Sequence, residues 1–118
     1  MYKLLTDLLK LNNDAFAKDA AILVTDNNVY KGVSVINTCF RDRIDAVSAT
    51  IGMALVNGDT NFKELYYLAD SSNYNLINKD VILEHLKNIN INIVTENKIY
   101  KFKGEDFSYE KWLSMFSR

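Results

Sequence analysis

Ala20-Ala21-Ile22-Leu23-Val24-Thr25-Asp26-Asn27-Asn28-Val29-Tyr30-Lys31-Gly32-Val33-Ser34-Val35-Ile36-Asn37 is the stretch whose reading decides the fold. Ala20 to Thr25 is a nearly unbroken apolar run, the pattern of a buried strand. Asp26-Asn27-Asn28 tolerate left-handed backbone and predict a turn. Val29 to Ile36 predicts a second strand, so the stretch reads as a β-hairpin.

On its N-terminal side, Leu4, Leu5, Leu8, Leu9 and Leu11 share one face of a predicted helix over Tyr2 to Leu11, which Asn12-Asn13-Asp14 ends. On its C-terminal side, Arg41 to Val56 predicts a helix with Ile44, Val47, Ile51, Ala54 and Leu55 inward and Asp42 as its N-cap. Gly58 in Asn57-Gly58-Asp59 is a stop signal for that helix. Phe62 to Ala69 predicts a strand covered on both faces, and Lys79 to Lys87 a helix with Val81, Ile82 and Leu86 inward. Ile89, Ile91 and Ile93 alternate with Asn90 and Asn92, the period of a strand. A turn at Asn97, a strand over Lys98 to Lys103 and a helix over Ser108 to Phe116 complete the order. Helices packed on a mixed sheet follow, an α/β fold built as one domain over residues 1–118.

Composition narrows the function classes. A net charge of -1 gives no basic face for nucleic acid or an anionic membrane. No apolar run reaches the roughly 20 residues of a membrane-spanning helix, and Met1 to Lys10 lacks the layout of a signal peptide. Cys39 is the only cysteine. It has no disulfide partner within the chain, which points to a reducing compartment, the cytoplasm by default.

The hairpin and the element order resemble the small zinc-dependent cytidine deaminases of pyrimidine salvage. Their opening reads alanine-alanine-leucine-leucine, a turn, and a strand ending in glycine-x-asparagine-x-glutamate-asparagine. Gly32 and Asn37 stand like the glycine and last asparagine, and Phe16 like a phenylalanine before the first strand. Asn57-Gly58 falls at the family's helix end, and Tyr109-Glu110-Lys111-Trp112-Leu113 resembles its closing helix. The resemblance runs from Phe16 to Phe116 and implies a three-layer α-β-α sandwich with a mixed five-stranded sheet. It also implies dimers or tetramers, so a homo-oligomer, or a hetero-oligomer with an active deaminase, is the expected partner state.

The family's chemistry does not carry over with the scaffold. Zinc deaminases use three His or Cys ligands to activate a water, and a glutamate to move protons. The first ligand and the glutamate correspond to Asp45 and Val47; the two thiolates of the later turn correspond to Leu76 and Lys79. Valine moves no proton, and a lysine ammonium repels a metal ion, so neither zinc nor deamination is expected. Of the pocket counterparts Phe16, Ser34, Ile36 and Asn37, Ser34 and Ile36 replace the family's ribose-binding asparagine and glutamate. Pyrimidine nucleoside binding comes only from the resemblance.

Other chemistry-bearing residues have plain readings beside functional ones. Cys39 reads as a small buried apolar residue or, near the old pocket, a ligand; His85 reads as solvated or capping or, alternatively, a ligand. Asp42, Asp45 and Asp59 read as cap or dipole partners before a carboxylate active site. Lys79 in a desolvated pocket would suit a nucleophile or base, which keeps an enzyme with a rebuilt site as the alternative. Tyr66, Tyr67, Phe102, Phe107, Tyr109, Trp112 and Phe116 divide between core packing and a subunit interface.

Overall fold

The computed structural model describes residues 1–11, 18–35, 44–69 and 78–107. Five strands and three α-helices are set in the order α1 (Tyr2–Leu9), β1 (Asp19–Thr25), β2 (Val29–Val33), α2 (Ala46–Val56), β3 (Phe62–Ala69), α3 (Lys79–His85), β4 (Asn90–Val94) and β5 (Ile99–Lys103), followed by a 3-10 turn over Gly104–Asp106. The strands lie in the order β2-β1-β3-β4-β5. The β3–β4 pair is parallel and the others are antiparallel, so the sheet is mixed, as expected.

The layers follow from which strand residues are apolar on each face. On one face Ala21, Leu23, Leu65, Tyr67, Ile91 and Ile93 pack under Val47, Ile51 and Ala54 of α2 and Ile82 of α3. On the other, Ala20, Ile22, Leu68 and Val94 receive Leu5 and Leu9 of α1. Burying each of the leucine, isoleucine and valine side chains contributes roughly 1.5–3 kcal/mol. Both faces are thus covered over β1 and residues 65–68 of β3, which is why those stretches are apolar almost without alternation. Tyr67, Phe102 and Phe107 belong to the core, the last two with ring centroids 5.8 Å apart.

Two boundaries depart from the sequence reading. Helix α2 begins at Ala46 rather than Arg41, and its N-cap is Asp45 rather than Asp42. The reason is a competing pair: Val35 and Ile44 exchange N–H···O bonds of 2.8 Å, which holds Ile44 extended and leaves it half exposed. Helix α1 ends at Leu9, so Leu11 lies beyond the helix and is exposed along with Leu4; Leu55 of α2 also faces outward. Gly58 closes α2 as the stop signal requires, with φ of 70° and its N–H donated to the Leu55 carbonyl. The closing helix expected over Ser108 to Phe116, with Tyr109, Trp112 and Phe116, lies outside the described residues.

One glycine sets the distance between α2 and the sheet. A Cβ on Gly32 would stand 2.8 Å from both the Ala46 carbonyl oxygen and the Thr50 methyl group. The first turn of α2 therefore rests directly on the β2 backbone.

Candidate functional site

β3 and β4 are parallel neighbours joined through α3, so α3 must run back against them. Its first turn consequently lies at the end of the sheet where β3 finishes. Helix α2 starts at that same end, since β2 finishes there and β1 begins there, Asp19 being paired with Ala69. Two helix N-termini thus meet the carboxyl ends of parallel strands, the place where open α/β sheets take ligands.

Four of the eight positions singled out from the sequence fall among the described residues, and all four stand at this end. Asp45 caps α2. Its carboxylate accepts the Ser48 N–H at 3.2 Å and the Ser48 hydroxyl at 2.5 Å, with the backbone extended as an N-cap requires. Val47 is fully buried in the core between α2 and the sheet. Ser34 is buried, accepting the Asp19 N–H on its hydroxyl at 3.1 Å and donating its own N–H to the Asp19 carbonyl at 3.1 Å. Lys79 is exposed on the first residue of α3, whose N-terminus Asn78 caps by accepting the N–H groups of Asp80 and Val81. Lys79 thus stands in solvent, whereas a nucleophile or base of lowered pKa would need a desolvated lysine. Phe16, Ile36, Asn37 and Leu76 lie outside the described residues, as do Cys39 and Asp42.

The dominant group at this end is Asp19, which the sequence reading left outside the strand. It is the first residue of β1 and has no exposed surface. One carboxylate oxygen accepts the N–H of Ala46, the first residue of α2, at 3.1 Å; the other accepts the Tyr67 hydroxyl. The sequence carried no local signal for it, since an aspartate is buried only where donors meet it and these come from distant residues.

Asp59 belongs to the other end of the sheet. Its carboxylate accepts the hydroxyls of Thr25 and, at 3.1 Å, Tyr30, so it joins the end of α2 to the β1–β2 turn. Burial, aided by hydrogen bonding to Asp59, pushes the Tyr30 phenol above its ordinary range. His85 sits in the last turn of α3, exposed, where it lines an open groove of about 290 Å³ with Asn61, Glu84 and Lys87. Asp45 and Asp59 are therefore far apart, Asp45 as the N-cap of α2 and Asp59 just beyond the Asn57 C-cap. Among the described residues no three His, Cys, Asp or Glu side chains are grouped to hold a metal ion. No described helix is long and apolar enough to cross a membrane.

No protein-family model and no curated protein matches the sequence. Solved structures do match the fold. The cytidine deaminase of Burkholderia pseudomallei superposes with a TM-score of 0.69 at 16% identity, covering 90% of this chain and 94% of that one. The cytidine deaminase of Mycobacterium tuberculosis gives 0.57 at 18% identity, covering 89% and 91%. That of Mycobacterium leprae gives 0.56 at 12% identity, covering 85% and 92%. At such identities the likeness is one of backbone architecture, and it extends along nearly the whole of each chain. The protein has the fold of the cytidine deaminases.

Proposed function

We propose that this chain is a non-catalytic module on a cytidine deaminase scaffold, acting by subunit association, with itself or with an active deaminase of the same fold. The observation that carries the reading is helix α2. In a catalytic member of the fold this helix would present a ligand and a proton-moving glutamate. Here Asp45 is engaged by Ser48, and Val47 is core. The described counterparts do not fit a zinc ion: one carboxylate already capped, one valine and one exposed lysine. No step is assigned to zinc.

The outer face of the same helix supports the association. Ala46–Val56 contains no charged residue, although Gly52, Met53, Leu55 and Val56 are exposed. A helix with one face in water ordinarily carries polar residues there. Gly52 adds a further sign. A glycine inside a helix costs about 0.5–1 kcal/mol relative to alanine, and a Cβ at Gly52 would meet nothing within 4 Å among the described residues. Its small size leaves room for the backbone of a neighbouring helix. Pyrimidine nucleoside binding is the weaker part of the reading, because Ser34 is already paired with Asp19. The single cysteine supports a reducing compartment, the cytoplasm.

The test pairs turnover with sedimentation. Purified protein should leave cytidine unchanged and sediment as an oligomer, and Met53→Glu or Val56→Lys should shift it to monomer. Gly52→Ala should weaken association while leaving the monomer as stable or slightly more so. Cytidine turnover near 1 per second, typical of enzymes, would overturn the non-catalytic reading; a monomer at every concentration, alone and mixed with an active deaminase, would overturn the association.

A further inference from the structure

The N-terminal end of α2 is the one place in the described structure where fixed donors, a helix dipole and a covered position coincide. A helix N-terminus accepts anions because its first N–H groups have no partners within the helix. In this chain two of those groups are engaged by its own acids. The Asp19 carboxylate accepts the Ala46 N–H at 3.1 Å, and Asp45 accepts the Ser48 N–H at 3.2 Å. Asp19 has no exposed surface, and its second oxygen accepts the Tyr67 hydroxyl from β3. Its backbone is held on both sides by Ser34, through the two 3.1 Å bonds described above.

A buried carboxylate is strongly unfavourable unless each oxygen is hydrogen-bonded. Both oxygens of Asp19 are, one by the Ala46 N–H of α2 and the other by the Tyr67 hydroxyl of β3, while Ser34 holds the Asp19 backbone. The geometry points to Asp19 as a built-in anion, filling the anion-binding end of α2 so that no external anion can occupy it. The inference deepens the non-catalytic reading of this site, since the ligand end of the scaffold is closed from within. It also names what the position selects: a planar carboxylate, held among the described residues by the Ala46 amide and the Tyr67 phenol. Removing that carboxylate while keeping the Cβ leaves a space the size of formate, with the Ala46 N–H and the Tyr67 hydroxyl aimed into it.

The experiment is thermal unfolding of wild type and Asp19→Ala in sodium formate and in sodium chloride at equal ionic strength. In chloride the variant should melt about 10 °C below wild type, as expected for a small domain losing buried hydrogen bonds to a charge. Formate should raise the variant's Tm saturably, as a ligand of the folded state does, and acetate should do less because its methyl group meets the alanine Cβ. Wild type should melt at the same temperature in both salts. An Asp19→Ala protein as stable as wild type, or a formate effect equal in the two proteins, would overturn the inference. If the variant does not fold in chloride, recovery of the native spectrum on refolding in formate supports it. If it folds in neither salt, Asp19→Asn decides. The amide keeps an oxygen for Ala46 but carries no charge, so a Tm equal to wild type overturns the built-in anion and a clearly lower one supports it. None of these readouts involves cytidine or a partner subunit. Turnover by wild type would therefore remove the proposed function without touching this result, and the reverse also holds.

Discussion

Asp19 and Ala46, 27 residues apart in the chain, meet as a buried carboxylate and a helix-end amide at 3.1 Å. The contact joins the first residue of β1 to the first residue of α2, and Tyr67, from 48 residues further along than Asp19, completes it. Three elements are thus tied at the end of the sheet where Asp45, Val47, Ser34 and Lys79 are found. Elsewhere α2 is held on the sheet by apolar packing, by the close approach at Gly32 and, past its far end, by the bonds of Asp59 to Thr25 and Tyr30.

That approach leaves no room for a methyl group. Gly32→Ala would set its Cβ 2.8 Å from a carbonyl oxygen and a methyl carbon, both on α2. Overpacking of this kind destabilises by about 1–3 kcal/mol. A fall in the urea midpoint with an unchanged slope is expected. An unaltered midpoint would mean that α2 can lift from the sheet freely.

Asp45 serves as a helix cap, and its substitutions should follow cap chemistry. Asp45→Ala removes both bonds to Ser48 and should lower stability by about 1 kcal/mol, whereas Asp45→Asn or Asp45→Ser should lose only a few tenths. Urea titration of the three variants separates this role from metal binding. A metal ligand would give variants whose stability responds to added zinc, and no such response is expected.

Val47 tests whether this position of α2 can hold a carboxylate. The side chain is fully enclosed by the core of α2 and the sheet, so Val47→Glu would bury a carboxylate without designed partners. A loss of at least about 3 kcal/mol is expected, read as a large drop in melting temperature with no gain of cytidine turnover. A stable variant would show that position 47 opens onto a solvated pocket.

Glu64 and Tyr66 form a pH-sensitive pair on β3. The Tyr66 hydroxyl donates to Glu64 at 2.7 Å. That bond is the main reason the Glu64 carboxyl lies below its ordinary value of 4.5, with Lys101, Asn90 and Asn92 assisting against the opposing effect of burial. The same bond is the main reason the Tyr66 phenol lies above 10.0. A lowered folded-state pKa means the native state holds its proton less tightly than the unfolded chain. The stabilisation is therefore present above pH 4.5 and is lost as the pH falls through the lower folded value. For Tyr66 the sign reverses: its stabilisation is present below pH 10.0 and is lost as the pH rises through the higher folded value. Tyr66→Phe should flatten both limbs of a stability–pH curve, and Glu64→Gln the acid limb. An unchanged acid limb in both variants would rule the pair out as its source.

Much of the architecture is legible because it is local. The apolar run from Ala20 to Thr25, the turn at Asp26-Asn27-Asn28 and the even spacing of Ile89, Ile91 and Ile93 each reflect a repeat that a few neighbouring residues reveal. Phe62–Ala69 was readable to the residue. The start of α2 was not, because the bridge between Val35 and Ile44 is a pairing across a connection, and periodicity alone extends the helix back to Arg41. The proposed correspondence of Asp45 and Lys79 to zinc ligands, and of Val47 to the proton-moving glutamate, comes from the sequence, since it depends only on residue identity and order. What those residues do instead was decided by tertiary structure. Asp45 caps because the chain turns extended just before it, and Val47 is core because α2 sits close on Gly32. The role of Asp19 was the least legible of all. A carboxylate is stable in a protein interior only where donors converge on it, and its donors come from Ala46 and Tyr67, distant in sequence and adjacent only once the sheet and α2 have assembled.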